Sequence, residues 1–186
     1  SDDALHELLG SIVKGNADVH AVKTYLNESM AATPKDTCRM TFTASSNSML
    51  SRHLEHHHYG DAFTAMAVIA ATLPGIPMMT GGQESGLQKV ISSVKNDTID
   101  WQNLKYEKLY NSLWALKKKH PALHNGSAGA PVEVFDIDNP HILAFRRQKG
   151  INVVSVQVNL TGQNQTFNLH GKARKLGAWE HQIQTN

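Results

Sequence analysis

The chain has 186 residues, 40% of them hydrophobic and 18% charged, which is a globular composition with enough apolar side chains for a core. Its formal net charge is +2, with basic residues scattered except for Lys117-Lys118-Lys119 at a helix end, where complementing the helix dipole is the reading favoured over a nucleic-acid patch. No apolar run of about 18 residues exists to make a membrane-spanning helix, no signal peptide is visible, and the single Cys38 allows no intrachain disulfide.

The chain opens directly on a helical pattern, SDDALHELL, without a Met. A longer parent protein, or a mature or trimmed form, is the expectation. Ser1 or Asp2 can cap the first helix, with Leu5, Leu8, Leu9, Ile12 and Val13 on one face. After Gly15-Asn16 a second helix places Val19, Val22, Tyr25 and Leu26 at helical spacing. Cys38 precedes an apolar strand and reads as a small buried residue. Met40-Thr41-Phe42-Thr43 reads as a short strand that delivers a polar loop over 44–55.

From Asp61 the run DAFTAMAVIAATL is apolar on nearly every side, so it reads as a helix buried all round, stopped by Pro74-Gly75. Residues 76–80, IPMMT, read as a buried strand, followed at once by Gly81-Gly82-Gln83-Glu84. Strand, loop, buried helix, strand, loop and helix is the rhythm of a parallel α/β fold. A long helix is expected over about 103–119, with Leu104, Leu109, Leu113 and Leu116 on its apolar side, and Lys117–Lys119 complement its dipole. His120-Pro121 stops it, and NGSAGAP over 125–131 is linker-like.

Beyond the linker the period changes from helical to alternating. Val132 and Val134, then Val154, Val156, Val158 and Leu160, then Phe167 and Leu169, alternate with polar residues. Turn signals fall at Asp138-Asn139-Pro140, Lys149-Gly150 and Thr161-Gly162. This half reads as antiparallel β with one buried face.

Few residues offer chemistry. His53 and His56-His57-His58 form a cluster, but three consecutive imidazoles do not converge on one ion, so no metal site is expected. No G-x-S-x-G, G-x-G-x-x-G or Walker-type loop is present. Glu84 stands just past a parallel strand, at the end where α/β proteins bind ligands. Ligand contact and a hydrogen bond within its own loop are equally open for it.

Together these pieces resemble the alpha-amylase family of glycoside hydrolases. RMTFT with its polar loop is similar to the family's seventh barrel strand. YGDAFTAMAVIAATLPGIPMMTGGQESGL is similar to the next helix, the eighth strand and its Gly-Gln-Glu loop. IDWQNLKYEKLYNSLWALKKKHPAL is similar to the last barrel helix. The resemblance implies a fold of α/β plus all-β class: a partial (β/α)8 barrel, its last two strands with their helices over residues 1–126, then a small antiparallel β-sandwich over 127–186. It implies a retaining enzyme on starch-like α-glucans, whose nucleophile and acid/base carboxylates sit about 5–5.5 Å apart. Those carboxylates belong to earlier strands, so no catalytic residue and no cofactor is expected in this chain.

The family's third carboxylate follows the seventh strand in Phe-Thr-Ser-Asn-His-Asp-Glu. Here the loop reads Phe42-Thr43-Ala44-Ser45-Ser46-Asn47-Ser48, with Ser46 at the His position and Asn47 at the Asp position. Asn47 keeps the shape, loses the charge and adds a donor where an acceptor belongs. Ser46, Asn47 and Glu84 are therefore the candidate substrate-binding residues. A barrel cannot close with two strands. The chain is expected either to self-associate or to pair with the remaining part of a barrel, with α-glucan as the partner of the parent, and with neither nucleic acid nor membrane. A stand-alone, non-catalytic module that binds glucan or protein through Trp101, Trp114 or Trp179 is the alternative. Core packing is favoured for Trp114 and Trp179, while Trp101 has no assigned place. The compartment is not declared by the sequence; only the resemblance points to a secreted or periplasmic setting.

Overall fold

The computed structural model describes residues 2–34, 37–44, 59–87 and 98–186. Asp2 caps α1 (Asp3–Val13), its Oδ1 accepting from Leu5 N at 3.2 Å. The same buried carboxylate accepts from the Tyr25 hydroxyl on α2 (Val19–Ala32), and Asp2 N donates to Met40 O at 2.9 Å. One residue thus ties two helices to the first strand. Burial, then the bond to Asp2, pushes the Tyr25 hydroxyl well above the usual tyrosine range. Leu5, Leu9 and Ile12 of α1, and Val19, Val22 and Leu26 of α2, are buried as their spacing predicts.

The parallel pair consists of β1 (Met40–Thr41) and β2 (Ile76–Pro77), with Met40 opposite Ile76 and Thr41 opposite Pro77. Between them in sequence, a 3-10 turn, Gly60–Ala62, leads into α3 (Phe63–Thr72). Nine of the ten residues of α3 are buried, so this helix is covered on all sides as its composition predicts. Thr41 Oγ1 donates to Ala70 O at 2.8 Å and holds β1 against it. Gly75 ends the connection with φ +147°; a Cβ there would stand 2.7 Å from Thr41 Cγ2 and 2.9 Å from Arg39 O. Only glycine allows this approach.

Both strands are shorter than the sequence suggests, and residues 76–80 are not buried: Ile76 is 46% and Met40 39% exposed. Among the described residues each strand has a partner on one side only. Pro77 also lacks the N–H that a longer ladder needs. Cys38, expected to be buried, is exposed, because pairing begins only at Met40.

The long helix, α4, spans Glu107–Lys119, four residues shorter at its start than its periodicity suggests. Residues 102–106 are instead drawn into turns: Asp100 Oδ1 accepts from Gln102 N at 2.9 Å and Tyr106 N donates to Glu84 O at 2.8 Å. Tyr110 and Leu113 are buried, and the Phe63 ring packs on Tyr106 with centroids 4.3 Å apart. No helix among the described residues is long and apolar enough to cross a membrane.

The second half holds a four-stranded antiparallel sheet in the order β3 (Val132–Val134), β4 (Ile142–Lys149), β5 (Asn152–Asn159), β8 (His181–Thr185). A hairpin, β6 (Gln165–Leu169) and β7 (Lys172–Leu176), forms a separate antiparallel sheet. The expectation of one buried face is corrected here. Leu143, Phe145, Val154, Val156 and Val158 join the core of α1–α4, whereas Ile142 and Ala144 pack with Phe167, Leu169 and Leu176 of the hairpin. The unbroken apolar run 142–145 is the reason: both faces of β4 need cover. Trp114 and Trp179 lie partly buried against the main core, as favoured, although Trp179 sits in the turn before β8 and not in a strand.

That main core crosses residue 126, and one side chain fastens the crossing. Arg147 on β4 is 2% exposed. Its guanidinium donates to four backbone carbonyls: Ala130 at 2.9 Å, His124 at 3.0 Å, Thr72 at 3.2 Å and Leu123 at 3.4 Å. Thr72 ends α3, so the cation also meets the negative end of a helix dipole. Desolvation lowers its pKa to about 10.

Candidate functional site

The loops that follow β1 and β2 meet at one end of the parallel pair, and a single amide joins them. Gln83 is 4% exposed. Its Nε2 donates to Thr43 Oγ1 at 3.0 Å and to Tyr110 Oη at 2.9 Å, and its Oε1 accepts from Thr80 N. Three segments, the β1 loop, the β2 loop and α4, are thereby fixed to one another. A second link runs from Thr80 Oγ1 to Ala44 O at 3.0 Å. Both hydrogens of the amide and its oxygen have partners, the condition under which a buried polar group stabilises a loop.

Around Gln83 the backbone turns sharply. Gly82 has φ +100°, and a Cβ on it would approach Leu87 Cδ2 to 3.0 Å. Ser85 Oγ donates to Gly82 O at 3.0 Å. Glu84 is half-buried, and its Oε2 accepts from Gly82 N at 3.1 Å. The hydrogen bond within its own loop, one of the two roles open for Glu84 in the sequence, is thus made. Ser46 and Asn47, together with His53 and His56–58, lie outside the described residues. Among the described residues no three His, Cys, Asp or Glu side chains come close enough to hold a metal ion.

Beside this loop stands Trp101, 50% exposed. The nearest heavy atom to a Cβ built on Gly81 is Trp101 Cη2, at 3.9 Å. The ring lines an open cleft of about 850 Å³ that also takes in Ser85, Asp100, Gln102 and Asn103.

Sequence reasoning named Glu84 and passed over Gln83 beside it. The signal was the position itself, a neutral side chain in a tight Gly-Gly loop directly after a strand. Its value depends on Thr43 and Tyr110, which only the fold brings within reach.

No protein-family model and no curated protein matches the sequence. Solved structures do. Against the cyclic alpha-maltosyl-(1→6)-maltose hydrolase of Arthrobacter globiformis, in complex with cyclic alpha-maltosyl-(1→6)-maltose, the TM-score is 0.76 over 98% of this chain, at 18% identity. The chain carries the fold of part of an alpha-amylase-family enzyme. It spans 43% of that hydrolase's length. The same amylase-type fold relates it to a debranching enzyme of Nostoc punctiforme (TM-score 0.67, 16% identity, 90% of this chain and 38% of that one). An alpha-amylase from H. orenii matches at a TM-score of 0.65 and 14% identity, over 97% of this chain and 47% of that one.

Proposed function

We propose that this chain is the C-terminal part of an enzyme that acts on α-glucosidic bonds of starch-like glucans. The observation that carries the reading is the match of 98% of the chain to 43% of a hydrolase of a cyclic maltosyl-maltose. In this reading β1 and β2 are the last two strands of a (β/α)8 barrel, residues 1–126 close that barrel, and residues 127–186 form a β-sandwich made of the four-stranded sheet and the β6–β7 hairpin. The outer edges of the pair support it: among the described residues β1 and β2 bond only to each other, and an open parallel edge needs a neighbour. That neighbour is an earlier strand of the barrel or, failing it, a second copy of the chain.

The nucleophile and the acid/base belong to earlier strands, so these 186 residues alone do not cleave glucan. In sequence Ser46 and Asn47 take the positions of a His and an Asp that meet substrate in the family, and in this reading Asn47 weakens stabilisation of the cationic transition state. Losing one such preorganised electrostatic contact costs on the order of 10²–10³ in kcat. The test is made on the product of the whole natural reading frame. A frame with carboxylates on its earlier strands is expected to hydrolyse maltoheptaose slowly, and Asn47→Asp to raise kcat/KM by about 100-fold. A frame that encodes these residues alone, or no change on Asn47→Asp, refutes the catalytic reading.

A further inference from the structure

Trp101 is the largest side chain left half in water among the described residues. A large exposed aromatic ring in a polar setting is the informative exception to the burial rule. The ring is nonetheless held. Gly81 is its neighbour across the loop: a Cβ there would stand in ordinary contact with the far edge of the ring, 3.9 Å from Cη2. The Asp100–Gln102 turn fixes its backbone on one side, and the Tyr106 N to Glu84 O bond fixes the next residues to the Gln83 loop. A platform kept in place before a ligand arrives binds it at lower entropic cost.

The surroundings select the ligand. Asp100, Gln102 and Asn103 are all exposed around the ring, one acceptor-only carboxylate and two amides that both donate and accept. The cleft volume of about 850 Å³ lies within the range of small-molecule sites. Asp100 opposes phosphate, and the polar ring opposes a lipid or a broad apolar protein contact. A glucopyranose unit has the matching form: a flat face of axial C–H groups for the indole, and equatorial hydroxyls around its edge for carboxylate and amides.

We propose that Trp101 is a stacking platform for a glucosyl unit of an α-glucan, with Asp100, Gln102 and Asn103 as its hydroxyl partners, at the rim of the Gln83 loop. This rests on the α-glucan reading above and names the residue through which this chain itself touches the substrate. It assigns Trp101 a binding role and no part in bond cleavage.

The experiment is a calorimetric titration of the whole natural protein with maltoheptaose, for wild type, Trp101→Phe and Trp101→Ala, each checked for a wild-type melt. Binding by wild type, at least tenfold weaker in Trp101→Ala and largely restored in Trp101→Phe, is the expected result. In parallel, wild type is oxidised with N-bromosuccinimide with and without maltoheptaose, and modified Trp is located by mass spectrometry. Protection confined to Trp101 is expected, and this arm needs no variant to fold. Wild-type affinity in Trp101→Ala, or oxidation of Trp101 unaffected by bound maltoheptaose, overturns the platform while leaving the α-glucan reading standing. No binding of maltoheptaose by wild type overturns both.

Discussion

Replacing Arg147 by Met tests whether the buried guanidinium joins the two halves or merely survives between them. Met has a stem of similar length, so little cavity opens. What disappears is four hydrogen bonds from a charged donor. Leu123 O keeps a donor, because Lys117 Nζ reaches it at 2.8 Å. Thr72, His124 and Ala130 each lose the bond to Arg147, and a buried acceptor left unmade costs about 1 kcal/mol or more. The opposing term is the desolvation of the cation, several kcal/mol, which Met avoids. Four charge-assisted bonds at roughly 1.5–3 kcal/mol each outweigh it. The net expectation is a loss of ~3 kcal/mol, or ~6–12 °C in Tm for a chain of this size. Arg147→Lys keeps the charge but not the planar fork and should fall between. Urea unfolding with a two-state fit reads the difference as a shift in midpoint at constant slope. A Met variant as stable as wild type would show that the crossing is held by apolar packing alone and that the guanidinium is dispensable.

Two further expectations use the same reasoning elsewhere. Gln83→Leu removes the amide that joins Thr43, Thr80 and Tyr110; it should cost ~2–3 kcal/mol in thermal unfolding, and an unchanged melt would mean that water replaces it without loss. His181, on β8, has its pKa lowered by burial, against a smaller opposing effect of Glu180. Its unfolded form binds the proton more readily, so stability should fall as pH drops below the ordinary histidine value of about 6.5. His181→Gln should flatten that part of the stability–pH curve, and an identical slope in the variant would locate the titration elsewhere.

How much of this was legible varies with the range of the interaction. The caps and faces of α1 and α2, and the all-round burial of α3, follow from spacing alone, because a helix settles its own periodicity. The alternation of Val154, Val156 and Val158 identified the inner face of β5 correctly. It hid the other face: Gln157 and Asn159 are buried too, and Asn159 donates to Leu176 O of the hairpin. Arg147 shares that difficulty. Its position two residues after Phe145 places it on the core face, but a charge there looks like an error until four carbonyls converge on it. Cys38 was misplaced because a strand start cannot be fixed to within two residues. At the candidate site the resemblance pointed to the Gly-Gln-Glu loop and named Glu84 in it. Gln83 needed partners 40 and 27 residues distant, and the exposure of Trp101 is a property of the surface that no local pattern encodes.

The turn between β4 and β5 is only two residues long, Gly150 at φ +59° and Ile151 almost fully exposed. Such a hairpin closes in about 1–10 μs and needs nothing distant. The β1–β2 rungs, by contrast, must bring residue 40 to residue 76 and bury α3 on the way. Loop closure of that span is paid before any contact rewards it. The order of events therefore runs against the order of the sequence. The β4–β5 hairpin can thus form from local contacts alone, whereas the inner face of its sheet and the loop that carries Gln83 both wait for the helices that share their core.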